Sequence, residues 1–195
     1  MFKVNKTPEP KFFQEFKKKH LLSNWNQYDS YRDIKQQLRE YSLFEEQELC
    51  CPYCEIEIDV DTSETEHIKP KDLFPNEFQN FNNLIVACKS SKRCGNSKGS
   101  QWSSDFINPV LENPQDFLTY DIKTGEVKPK NSIGIDHEKA KVTIDMLNLN
   151  DKRLADARKN FILGNRYSID YLEPEGEFRT LKEFMIENKD SIASV

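Results

Sequence analysis

Five cysteines and one acid–histidine dipeptide are the residues of this 195-residue chain best suited to do chemistry. Cys51-Pro-Tyr-Cys54 spaces two thiols by two residues, and Cys88 and Cys94 form a second pair with five residues between them. Two thiolates offered by one tight turn can reach a single ion. Four at about 2.3 Å in a tetrahedron make a closed structural zinc site. The second pair is wider than the usual two to four residues, and Cys50 could stand in for Cys51. A redox role for the first pair would call for a thioredoxin-like strand–helix unit, which the neighbouring sequence lacks. The reading is a structural Zn²⁺ on Cys51, Cys54, Cys88 and Cys94.

Between the pairs lie Glu66-His67-Ile68-Lys69-Pro70-Lys71 and Asn82-Asn83-Leu84, and Gly95-Asn96-Ser97-Lys98-Gly99 follows the last cysteine. Taken singly, each has a bland reading. A histidine beside a glutamate is usually a surface ion pair, Asn83 and Asn96 are ordinary turn or cap residues, and Lys98 is a solvated lysine. Weight comes from their order, together with the cysteines, within a short stretch.

The elements that must hold these residues can be read from periodicity. Pro10 to Lys19 predicts a first helix. From Asp29 to Glu48, Tyr31, Ile34, Leu38, Tyr41 and Phe44 recur at helical spacing, with Asp29 or Ser30 as cap. Ile56, Ile58 and Val60 alternate as a half-buried strand does, and Glu64 to Ile68 is expected to return as the second strand of a hairpin. Leu84 to Cys88 is a short apolar stretch, and a short helix is expected near Asn96–Lys98. Further on, Leu118 to Lys128 reads as a hairpin turning at Thr124-Gly125. Helices are expected over about 136–147, 151–163 (Asp151 as N-cap; Leu154, Ala157 and Phe161 on one face) and 181–188. The expected division is 1–50 as an N-terminal helical segment, 51–105 as the zinc-bearing core, and 106–195 as a C-terminal hairpin and helical extension.

Net charge is −5, which taken alone argues against a nucleic-acid binder. From Lys69 to Gln101, however, six basic residues face two acidic ones, so this segment is +4 and the remainder −9. A basic island on an acidic chain can still attract phosphate. The acidic flanks are expected to be scaffold or partner surface. The longest apolar run has five residues, far short of a membrane span, and the first residues lack a signal-peptide core, so a cytoplasmic protein without membrane contact is expected.

Cysteine pair, acid–His dipeptide, Asn before an apolar run, cysteine pair, then Asn before Lys-Gly resembles the HNH (ββα-metal) nucleases. The likeness extends through INPVLENPQDFLTYDIKTGEV and LNLNDKRLADAR to the PtuB-like HNH subunit of Septu anti-phage systems and to retron-associated HNH proteins. It covers most of residues 10 to 165. The resemblance implies an α+β fold: a zinc-stabilised ββα-metal core flanked by N-terminal and C-terminal helices. It also implies a metal-dependent endonuclease acting on DNA, with RNA cleavage and a non-catalytic zinc-ribbon module as alternatives. By the same likeness His67 is the general base, Glu66 and Asn96 bind the catalytic Mg²⁺ or Mn²⁺, and Asn83 fixes the loop that orients His67. Lys69, Lys71 and Lys98 would meet nucleic acid, and an ABC/SMC-like ATPase of the PtuA type would be the partner.

Overall fold

Apolar residues at helical spacing fold the first fifty residues against the rest of the chain. In this computed structural model, which describes residues 1–193, helix α1 (Lys11–Lys19) starts after Pro10 and ends on three lysines that complement its C-terminal dipole. A 3-10 turn, Trp25–Ser30, follows, with the Asn24 side chain accepting from the Gln27 N–H. Helix α2 (Arg32–Glu45) begins later than expected. Asp29 and Ser30 belong to the 3-10 turn, and Tyr31 precedes α2 without a side-chain cap. Asp29 pairs with Lys35 at 2.7 Å instead.

The expected face of α2 holds at Leu38 and fails at Phe44. Leu38 is buried in a small aromatic cluster with Phe13, Trp25 and Tyr28, whereas Leu43, one turn on, is buried in the main core. One helix thus serves two cores on different sides, and Phe44 is left 65% exposed.

The first sheet departs from the expected hairpin. Its strands are β1 (Ser63–His67) and β2 (Leu84–Cys88), antiparallel, with Ser63 opposite Cys88 and His67 opposite Leu84. Residues 56–60 form no regular strand. They close the cysteine turn through a single bridge, Cys50 to Glu57, with Cys51 N–H donating to the Ile56 carbonyl and Ile58 N–H to that of Leu49. Left-handed φ values at Glu48, Leu49 and Glu55 curl this stretch too tightly for a ladder. β2 is buried throughout, which accounts for its unbroken apolar run. Its outer edge is satisfied by Gln47: the amide accepts from Val86 N–H and donates to the Val86 carbonyl, both at 2.8 Å.

After β2 comes α3 (Gly95–Lys98), then the hairpin β3 (Leu118–Tyr120) and β4 (Val127–Pro129). Its turn uses Gly125 at φ +74, and a Cβ there would lie 2.2 Å from the Ala155 carbonyl, so only glycine lets the hairpin seat on the following helices. Helices α4 (Ile135–Leu147), α5 (Lys152–Asn165), α6 (Arg179–Glu187) and α7 (Lys189–Ala193) complete the described chain. On α5 Leu154 is buried as expected, but Ala155, Arg158 and Ile162 take the core positions, and Ala157 and Phe161 are half-buried. Arg158 can enter the core because its guanidinium donates to the Leu149 carbonyl at 2.8 Å. Asp151 sits at the N-cap without a capping bond, its carboxylate 3.8 Å from Arg93. No helix among the described residues is long and apolar enough to cross a membrane.

Glu55 ties the cysteine turn to the C-terminal helices. Its carboxylate is fully buried, takes Thr180 N–H at 2.9 Å, Thr180 Oγ1 at 2.6 Å and the Tyr120 hydroxyl at 3.0 Å, and pairs with the Met1 amino group. Burial alone would raise its pKa, but the amino group and the Thr180 bonds outweigh burial and hold it below its ordinary value. Such a carboxylate stabilises the fold above the unfolded pKa of about 4.3 and loses that contribution as pH falls through the lower folded value. Glu55→Gln is therefore expected to cost about 2–4 kcal/mol near neutral pH, with the gap to the native protein closing in acid. Urea unfolding at both pH values measures it, and equal midpoints at neutral pH would refute it.

Candidate functional site: a buried cysteine cluster beside a Glu-His cleft

The turn at residues 51–54 presents two thiols, the end of β2 adds Cys88, and the residue before α3 adds Cys94. All four sulfur atoms lie within 4.8 Å of one another, and all four residues are buried. Cys51 and Cys94 are 3.9 Å apart and Cys54 and Cys88 3.7 Å, far beyond a disulfide's ~2.05 Å. Sulfur atoms each about 2.3 Å from one zinc would be spaced by roughly 3.8 Å. The cluster therefore has the donor type and the size for zinc. Cys50 is buried but stands outside it, and burial pushes its thiol up to about 11. Arg93 lies beside the cluster. Burial opposes its charge, but Cys54 and its neighbours favour it more strongly. Cys94 adopts φ +59 and donates its N–H to the Leu147 carbonyl at 2.8 Å, which anchors the cluster to α4.

Next to the cluster, a cleft of about 230 Å³ opens between β1 and α3. Glu66, His67, Lys71, Asp72, Gly95 and Asn96 are among its walls. Glu66 rests against Gly95, where a Cβ would come within 2.8 Å of Oε2, so glycine keeps the carboxylate's place open. Burial raises the Glu66 pKa, with Lys98 opposing. The Lys98 ammonium stands 2.9 Å from Oε1, an ion pair without an aligned hydrogen bond to that oxygen.

His67 is buried, with the edge of its ring toward Trp25 or the reverse, at 4.8 Å between centroids and an interplanar angle of 85°. Its Nε2 lies 3.2 Å from the Phe78 carbonyl. A carbonyl can only accept, so the proton belongs on Nε2 and the Nδ1 lone pair is left as the ring's acceptor. Burial first, then Lys71 and Lys98, lowers the His67 pKa to about 4 against the Phe78 bond, so the ring is neutral at physiological pH.

Asn83 pins the loop that leaves His67. Its Oδ1 accepts from Lys69 N–H at 2.7 Å, its Nδ2 donates to the carbonyls of Lys69 (3.1 Å) and Glu77 (3.2 Å), and its own carbonyl accepts from Ile68 N–H. Asn96 is exposed on α3 in the cleft wall. Lys71 reaches the cleft, whereas Lys69 is half-buried with its ammonium 5.7 Å over the Phe74 ring. Lys98 departs from the expected phosphate contact. It is buried, and its ammonium also donates to the His67 carbonyl at 3.1 Å, so it works inward.

Sequence reasoning missed three parts of this site. Gly95 was legible as the glycine immediately before Asn96. Trp25 and the Phe78 carbonyl carry no sequence signal: Trp25 arrives from a 3-10 turn about forty residues upstream, and Phe78 contributes a backbone atom that any residue would offer.

No protein-family model matches the chain. The Septu protein PtuB of Bacillus thuringiensis is 34% identical over 94 residues, covering 45% of this chain and 35% of PtuB. The protein named as an HNH endonuclease of retron Ec83 from Escherichia coli is 24% identical over 205 residues, covering 83% of this chain and 79% of that one. Its counterpart from retron Vc95 of Vibrio cholerae serotype O1 biovar El Tor is 32% identical over 123 residues, covering 57% of each. The chain thus spans about a third of PtuB and about half to four-fifths of the retron proteins. With a buried four-cysteine cluster set beside a Glu-His cleft, the chain is related to the HNH-type proteins of Septu and retron systems.

Proposed function

We propose that the protein is a metal-dependent HNH endonuclease that hydrolyses phosphodiester bonds in DNA, with residues 51–105 as a zinc-stabilised ββα-metal core. The observation that carries this reading is that one cleft holds Glu66, Asn96 and a neutral, rigidly held His67. Hydrolysis needs a proton acceptor that is unprotonated near neutral pH, and Nδ1 of His67 has that character. Asn83 acts through the loop, keeping the imidazole at its angle against Trp25 and Phe78. Lys71 at the rim would meet a phosphate, and Lys69 lies two residues behind it.

The fold family implies a catalytic Mg²⁺ or Mn²⁺, and the residues present fit one. Glu66 and Asn96 offer a carboxylate and an amide oxygen, both hard donors, and Gly95 keeps room beside the carboxylate. Mg²⁺ retains several waters, so two protein oxygens suffice. When bound, the ion would supply neutralising charge to the scissile phosphate and the leaving oxygen. Likeness to PtuB supports a place in an anti-phage complex, with an ATPase of the PtuA type as partner.

Purified protein is expected to carry one zinc per chain, and Cys54→Ser or chelation should release it and lower the melting temperature, because zinc binding in small finger peptides is worth about 10–16 kcal/mol. Metal analysis without zinc would remove the structural-site reading. His67→Ala should keep the zinc and the fold while slowing plasmid nicking by about 10²–10⁴-fold, with no rescue by added metal. Glu66→Ala, Asn96→Ala and Gly95→Ala should instead shift the Mg²⁺ or Mn²⁺ dependence to higher concentration and recover in part there. Cleavage of total RNA in place of plasmid would redirect the substrate. Native-rate cutting by His67→Ala would end its assignment as base.

A further inference from the structure

Two positively charged segments of this acidic chain bear on the cleft. Residues 16–39 carry Lys17, Lys18, Lys19, Arg32, Lys35 and Arg39 against Asp29 and Asp33, and residues 69–101 carry six basic residues against two acidic, leaving −13 for the rest of a −5 chain. The N-terminal flank therefore departs from the acidic flank expected from the summed charge outside residues 69–101. The fold sets these two segments side by side. Trp25 contacts His67, the Lys35 ammonium lies 5.6 Å from the Trp25 ring centre, and a small recess has Asn24, Trp25 and Asn26 on one wall and Lys71 and Asp72 on the other. Lys71 and Asp72 are also walls of the Glu-His cleft, so recess and cleft adjoin.

Beyond the 3-10 turn, an open groove of about 520 Å³ lies between α1 and α2, with Phe16, His20, Tyr31 and Arg32 in its walls. Its rings pack on one another at differing angles: His20 stacks on Phe16 at 4.6 Å and 26°, and Tyr31 meets His20 at 4.7 Å and 57°, leaving His20 and Tyr31 half-buried. Asp29 and Asp33 also line this groove; Asp29 is offset by Lys35, and Asp33 is exposed beside Arg32. Exposed Lys18, Lys19 and Arg32 form no salt bridge among the described residues. Half-exposed rings flanked by uncommitted cations suit unpaired bases and their phosphates, since every base has a stacking face.

We infer that the groove between α1 and α2 binds an unpaired strand of the nucleic-acid substrate and leads it past Trp25 and Lys71 into the cleft. This rests on the nuclease reading above. A labelled single strand and a blunt duplex of the same sequence, titrated by anisotropy against full-length His67→Ala protein over a salt series, test it. The single strand should bind the tighter of the two. Adding Lys18→Glu, Lys19→Glu and Arg32→Glu together should weaken single-strand binding at least about tenfold and flatten the log-affinity against log-salt slope by about 2, three contacts at about 0.7 each. Tyr31→Leu should weaken it with the slope unchanged, and zinc content and melting temperature should hold in every variant. Affinity and slope indifferent to the charge reversal, or a blunt duplex bound as tightly as the single strand, would overturn the proposal. Charge-dependent strand binding by a native protein that cuts nothing would sink the nuclease reading and leave this surface standing. Cutting by an enzyme indifferent to the reversal would do the opposite.

Discussion

Four thiols converging on one point are the constraint from which the geometry of the cleft follows. The Cys51–Cys54 turn, the last residue of β2 and the residue before α3 come from separate parts of the chain, and Cys51 and Cys94 are 43 positions apart. Holding Cys88 fixes β2, and the antiparallel register then fixes Glu66 and His67 opposite Ile85 and Leu84. Holding Cys94 fixes the start of α3, and with it Gly95 and Asn96 on the facing wall. The cluster therefore sets the separation of two walls that share no strand pairing. A metal bound there would act as a cross-link between them without entering the cleft itself.

Two-stranded sheets leave the outer edge of each strand without a neighbouring strand, and this chain satisfies part of those edges with side-chain amides. Gln47 bonds both the N–H and the carbonyl of Val86, Asn150 does the same for Val127, and Asn83 for Lys69. For Val86 and Val127 one planar amide presents the donor and acceptor that a further strand would have offered, and for Lys69 it does the same in the bend after β1. Asn83 is thus one case of a device that holds the whole fold, placed where it also orients the residue after His67. Glu55 plays a related part with a charged group, bonding both the backbone and the side chain of Thr180. Buried polar groups satisfied this fully specify one arrangement, which suits a site whose residues must face each other across a gap.

The parts of this structure legible in the sequence are those with local causes. Cysteine spacing brought out the four-thiol cluster, and Thr124-Gly125 marked the second hairpin at the glycine whose φ is +74. Burial of β2 showed as an unbroken apolar run. What was not legible depends on distant partners. Residues 56–60 have a strand's alternation but spend it closing the cysteine turn, because β1 finds β2 as its partner instead. Phe44 shares the period of Leu38 yet stays exposed, because α2 turns its last residues toward a different core. Lys98 follows a motif asparagine in a basic segment, and nothing local says that its ammonium points inward to Glu66.

That inward lysine acts on two neighbouring residues whose charged forms burial disfavours. Burial disfavours charge on both Glu66 and His67, raising the carboxyl pKa and lowering the imidazole pKa. For the proposed metal binding at Glu66 and proton acceptance at His67, the second effect would help and the first would harm, since such roles call for an ionised carboxylate and a neutral imidazole. The Lys98 ammonium acts on both in the useful direction: it favours the Glu66 anion and further disfavours a protonated His67. Its bond to the His67 carbonyl places that charge between the two residues rather than beside either alone. A lysine displayed to solvent would be screened, so burial at this position strengthens its support of the Glu66 anion against the desolvation that raises the carboxyl pKa.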